Sequence, residues 1–118
     1  MKPRVVYGNA MVDGASHKSW FIGRFIENAK DPRSTGDVEV KWGIHLAGDV
    51  KTSGLAHPEV TSVCIFIRGR FRFRFPDQDV LLAREGDYVV WVGDIPYSWV
   101  AEEDSVVITI RWPSRPNG

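Results

Sequence analysis

Few side chains in this sequence could do chemistry. Cys64 is the one cysteine in 118 residues, so neither an intramolecular disulfide nor a cysteine zinc cluster can form. Nothing beside it in the chain supplies a paired nucleophile and base, and Cys64 reads as a small buried hydrophobe. Ser62, two residues earlier, has no activating partner either. Tyr97 and Trp99 alternate, so their side chains face one side. Together with Cys64 and Phe66 they would line a mainly apolar cavity with a few polar groups, which is the character of a small-molecule site, or they would simply fill a small barrel. An aromatic lining of this kind can stack on a sugar ring or a planar ligand.

The stretch Arg70-Phe71-Arg72-Phe73-Arg74-Phe75 sets three arginines against three phenylalanines. An RNA-recognition strand would need aromatics where Arg70 and Arg72 stand, and the match holds only at Arg68, Gly69 and Phe75. The 15 basic and 15 acidic residues cancel, so no whole-molecule field draws the chain to nucleic acid or to an anionic membrane. We expect neither as a partner. The alternation reads instead as an amphipathic strand. Phenylalanines face the core, while arginines pair with carboxylates or meet a second subunit.

These residues must be positioned by strands. Aromatic and β-branched residues recur with period two in short blocks separated by Gly, Pro or Asp. Candidate strands are Val5 to Tyr7, Trp20 to Phe25, Val38 to Leu46, Ser62 to Arg68, Arg70 to Phe75, Asp79 to Leu82, Tyr88 to Val92, Tyr97 to Ala101 and Ser105 to Trp112. In the third of these, Val38, Val40, Trp42, Ile44 and Leu46 would be the buried face; Glu39, Lys41 and His45 would be the other face, either polar or lining something. Gly69 and Pro76-Asp77-Gln78-Asp79 read as turns, and Gly8 to Lys18, Asn28 to Asp37 and Gly48 to Pro58 as loops. No window carries a helical apolar stripe. The chain reads as all-β and as a single domain. Residues 1–37 supply N-terminal strands and loops, 38–112 the barrel-like region, and 113–118 a frayed tail. With 43% apolar and 25% charged residues and no long apolar run, it reads as a globular cytoplasmic protein.

From Asp49 onward the order of residues resembles a cupin, a small double-stranded β-helix barrel related to the jelly rolls. The family's first motif runs Gly, five residues, His-x-His, three or four residues, Glu, six residues, Gly. Anchored on Gly69, it places its glutamate at Ser62 and its histidines at Leu55 and His57. The second motif, anchored on Gly86, places its proline at Val92, its glycine at Asp94, its histidine at Tyr97 and its asparagine at Ala101. The scaffold survives in Val63 to Phe71, in Arg84 to Trp91 with its Glu-Gly-Asp-Tyr turn, and in Pro96 to Trp99.

A cupin metal site takes three histidines and a glutamate, a donor set suited to Mn, Fe, Ni or Zn. Leu55, His57, Ser62 and Tyr97 stand at those positions, leaving one strong ligand, so no metal cofactor is expected. The alternative is a rebuilt divalent site drawing on His57, Glu59, His45 and Tyr97. The resemblance thus implies a homodimeric barrel binding a small organic ligand through His57, Ser62, Cys64, Phe66, Tyr97, Trp99 and His45. The competing reading is a cupin-type enzyme, either a metal-dependent oxygenase or a sugar isomerase or epimerase with His57 as base and Tyr97 as acid. A third is an interaction scaffold.

Overall fold

Unbroken alternation from Thr61 to Phe75 and from Tyr97 to Trp112 gives two strands longer than the rest of the sheet can match. The computed structural model describes residues 5–55 and 57–115. In chain order they form a short helix α1 (Ala10–Asp13) and a single 3-10 turn (Ala15–His17). Seven strands follow: β1 (Trp20–Ile22), β2 (Glu39–His45), β3 (Val50–Gly54), β4 (Thr61–Phe75), β5 (Gln78–Leu82), β6 (Tyr88–Val92) and β7 (Tyr97–Trp112). The fold is all-β, and every pair of these strands is antiparallel. No helix among the described residues is long and apolar enough to cross a membrane.

β4 and β7 pair along nearly their whole length, from Thr61 opposite Trp112 to Arg74 opposite Ser98. The register slips between Phe66 and Phe71, around Gly69. Gly69 has a φ of +108°, and a Cβ there would collide with Ser105 Oγ and the Asp104 carbonyl, so only glycine enters this bulge without strain. The bulge changes which residues of β4 face inward: Ser62, Cys64 and Phe66 before it, Phe71 and Phe73 after it. β2 and β6 flank the first half of β4 and the second half of β7, while β3 and β5 flank the other halves. The two halves close on one another through rings, with Trp91 5.1 Å from Phe73 and 5.0 Å from Tyr97, and His45 4.6 Å from Trp99. Phe66, Phe71, Leu82 and Cys64 are each 1% exposed at the centre. Each such phenylalanine contributes roughly 2–3 kcal/mol through burial.

Several expectations change. Gly69 is a bulge within one strand rather than a turn between two, and Tyr97 to Trp112 is a single strand. The expected loop at Gly48 to Pro58 contains β3, the one at Gly8 to Lys18 contains α1 and the 3-10 turn, and Val5 to Tyr7 forms no strand. The tail is held as far as Arg115. Ser114 is fully buried, its N–H donates to Gly36 O, and its hydroxyl donates to Glu39 Oε2 at 2.9 Å. Residues 116–118 lie outside the described residues.

The largest change concerns β2. Its period of two is as expected, but its faces are reversed: Glu39 is buried and Lys41 and His45 point inward, whereas Ile44 is 49% exposed. The apolar face of β2 continues across the sheet in register. Val40 and Trp42 lie opposite Ile110 and Ile108, these opposite Val63 and Ile65, and these opposite Val90 and Tyr88. The outer face of this half is therefore apolar on four strands. Its polar side chains face in.

Candidate functional site

The inward face of the β2, β7, β4 and β6 half is a grid whose rows follow from register. One row runs Glu39, Arg111, Ser62, Trp91, and the next runs Lys41, Thr109, Cys64, Val89. Neighbours in a row are about 5 Å apart across the strands, and the rows about 7 Å apart along them. The polar side chains of the first row are thus brought together by pairing alone.

Arg111 is the hub. Its Nη1 lies 3.7 Å from Glu39 Oε1, its Nη2 donates weakly to Tyr97 Oη at 3.5 Å, and its Nε is buried with no partner. Glu39 is shared, since it also accepts from Ser114. Ser62 Oγ and Trp91 Nε1 are buried and without hydrogen-bond partners among the described residues, Ser62 being 0% and Trp91 7% exposed. Tyr97, 7% exposed, lies against Gly54, where any Cβ would collide with its ring. Lys41 makes no ion pair among the described residues. Its Nζ and the Arg111 guanidinium lie 5.2 Å and 5.0 Å from the Trp20 ring, a cation–π arrangement that offsets part of the cost of burying them. Burial, followed by repulsion from Arg111 and Lys51, lowers the Lys41 ammonium to about 8. Burial pushes the Cys64 thiol up to about 12, which removes it as a nucleophile at neutral pH. Burial likewise lowers His45, helped by Lys41, and favours a neutral imidazole against Trp99 and Phe71.

Clefts open at both ends of the first row. Near Trp91, a cleft of about 670 Å³ lies where β5 and β6 flank successive halves of β4 without pairing to one another; Phe75, Val80, Val89 and Ile95 help to line it. Near Glu39, a smaller cleft of about 260 Å³ is lined by Trp20, Phe25, Glu39, His17 and Arg115.

Of the residues singled out in the sequence, Ser62, Cys64, Phe66, Tyr97, Trp99 and His45 all face the interior. His57 does not. It is exposed on a surface turn, where its Nδ1 accepts the Glu59 N–H at 3.1 Å, and Glu59 pairs with Arg115. Leu55 is 69% exposed. The positions equivalent to the family's ligands therefore do not converge: Ser62 and Tyr97 lie inside, Leu55 and His57 outside. No three His, Cys, Asp or Glu side chains group to hold a metal among the described residues. The arginines Arg70 and Arg72 share Glu102 on the outside, with distances of 2.8 Å and 2.7 Å.

Lys41, Arg111, Trp91, Glu39 and Trp20 were not singled out as site residues. One signal for them was present: Ser105 to Trp112 and Val38 to Leu46 each carry one wholly apolar face and one mixed face. When two paired strands share that pattern, the mixed faces can form a lining.

No family profile and no curated protein matches the sequence. Solved structures do. KdgF from Halomonas sp. is 26% identical with a TM-score of 0.62, over 69% of this chain and 74% of that one. A conserved protein with a double-stranded β-helix domain from Klebsiella pneumoniae subsp. pneumoniae MGH 78578 is 17% identical with a TM-score of 0.61, over 71% and 73%. A cupin superfamily protein from Desulfitobacterium hafniense DCB-2 is 13% identical with a TM-score of 0.59, over 66% and 69%.

The depressed Lys41 makes a prediction about stability. Because its folded value lies below its unfolded one, the charged amine opposes folding fully below pH 8, and the penalty fades as pH rises from 8 toward 10.5. Cys64 acts in the opposite direction above its ordinary value, so a difference between variants isolates the lysine. Lys41→Met should be more stable than the parent at pH 7 by about 2–3 kcal/mol, with the gap closing near pH 10. Urea unfolding at both pH values measures this, and a gap independent of pH would refute it.

Proposed function

This chain is a cupin by fold, and from that premise we propose that its barrel binds a small organic molecule without a metal ion. The observation that carries this reading is a set of three buried donors, Arg111 Nε, Ser62 Oγ and Trp91 Nε1, left without partners among the described residues in a row that has a cleft at each end. An unpartnered buried polar group costs about 1–3 kcal/mol, so such groups persist where something else completes them. The aromatic rings of Phe73, Trp91, Tyr97 and Trp99 around them would hold an apolar or planar ligand body.

The donor set argues against the family's metal. Leu55 has no ligating atom, and ammonium and guanidinium groups repel a cation rather than coordinate it. The rebuilt set also divides, His45 and Tyr97 lying inside and His57 and Glu59 on the exposed turn. The same separation removes support from an enzyme using His57 as base and Tyr97 as acid. With a single, buried free cysteine, the cytoplasm is the compartment we propose for it.

We further propose that a second copy of the chain covers the apolar outer face built by Val40, Trp42, Ile108, Ile110, Ile65 and Val90, because a two-fold contact lets one apolar patch cover itself.

Three measurements test these readings. After exposure to Mn, Fe, Ni, Cu and Zn and then dialysis, mass spectrometry should find far less than one ion per chain. A panel of small planar organic compounds should quench the fluorescence of the parent more than that of Trp91→Phe. About one ion per chain, or no compound acting on either protein, would overturn the metal-free binding barrel. For the second proposal, light scattering after gel filtration should give twice the chain mass for the parent and a monomer for Ile108→Glu. A monomeric parent would reject the dimer.

A further inference from the structure

The inner row has an imbalance of charge as well as unpaired donors. Among the described residues, Lys41 and Arg111 bring two positive charges into the interior and Glu39 one negative charge, already engaged by Ser114 and loosely by Arg111. Every other polar group facing the hub can donate: Arg111 Nε, Ser62 Oγ and Trp91 Nε1 are buried and unpartnered, and the Tyr97 hydroxyl, which accepts from Arg111, keeps its own proton free to give. A buried set of donors with one excess positive charge is incomplete without an acceptor that carries one negative charge.

We infer that the centre of the barrel is a carboxylate-binding site, with Arg111 and Lys41 holding the anionic group of a small organic acid and Ser62, Trp91 and Tyr97 completing its hydrogen bonds. This rests on the small-molecule reading above and specifies its ligand class. A carboxylate matches the site in charge and in shape. It is a monoanion, and its two oxygens suit the guanidinium fork, which here has donors uncommitted or held only at long distance. The rest of the acid would lie against Phe73, Trp91 and Tyr97. Lys51, opposite Trp99 in register, lies on the inward side of β3 where it opens to solvent and adds to the positive charge near Lys41, whereas Glu102 is on the exterior.

Calorimetric titration with benzoate and with its neutral isostere benzamide tests the inference, using the parent, Lys41→Met and Ser62→Ala. Lys41 makes no ion pair among the described residues, so its replacement strands no buried counter-charge and should leave a folded protein, confirmed by thermal melting. Benzoate should bind at least about tenfold more tightly than benzamide, the loss of one charge-assisted hydrogen bond being of that size. Lys41→Met should lose that preference while binding benzamide unchanged, and Ser62→Ala should weaken benzoate several-fold. Benzamide binding as well as benzoate, in the parent, would overturn the carboxylate site while leaving the small-molecule barrel intact. Sulfate displacing benzoate at equal concentration would replace the inference with an inorganic oxyanion site. Failure of benzoate to bind, or undiminished binding to Lys41→Met, would also overturn it.

Discussion

The pairing of β4 with β7 is the constraint on which the rest of this molecule depends. Strands of 15 and 16 residues run antiparallel, and all but one of the remaining strands attach directly to one of the two. β1 alone is a step removed, through β2. A flat ladder of that length could not close. The slip around Gly69 divides it into two halves, lets one fold over the other, and exchanges the inward set on β4 from Ser62, Cys64 and Phe66 to Phe71 and Phe73. One half of the interior is thereby mostly aromatic and the other carries the polar grid.

The grid is costly to the fold. Burying an ammonium that makes no ion pair among the described residues is among the more expensive things a small domain can do, and here the Lys41 amine responds by giving up its proton more readily. Arg111 cannot respond in that way, and is met instead by Glu39, the Tyr97 hydroxyl and the Trp20 ring. The N-terminal segment and the residues after β7 converge on the same end: Arg24 donates its backbone N–H to Ser114 Oγ, and Ser114 donates to Glu39. The segment before β2 and the residues just after β7 thus shield one polar row. Such an arrangement fits a site whose polarity matters more than the stability it forfeits.

Much of the fold was legible in the sequence because strand alternation is a local property. The Arg-Phe run, the Glu-Gly-Asp-Tyr turn at Gly86 and the inward Tyr97 and Trp99 all follow from neighbouring residues. The side of β2 that faces inward was not local. Val40, Trp42 and Ile44 form an apolar face that any single-strand reading sends to the core, and only the matching Ile108, Ile110, Val63 and Ile65 on other strands show it to be an outer surface. The cupin resemblance carried the architecture, but the positions equivalent to the family's ligands do not meet in one place. It drew attention to His57, which lies on an exposed turn, and away from Lys41 and Arg111, which become neighbours only through the register of β2 on β7.

The central claim is that the barrel interior holds uncompensated positive charge at Lys41. The most direct measurement is an NMR titration of the Lys41 side chain, with labelled lysine and the resonance assigned by its loss in Lys41→Met. The account predicts a midpoint near 8. A midpoint at the ordinary lysine value of about 10.4 would contradict it, because the amine would then be solvated or already paired.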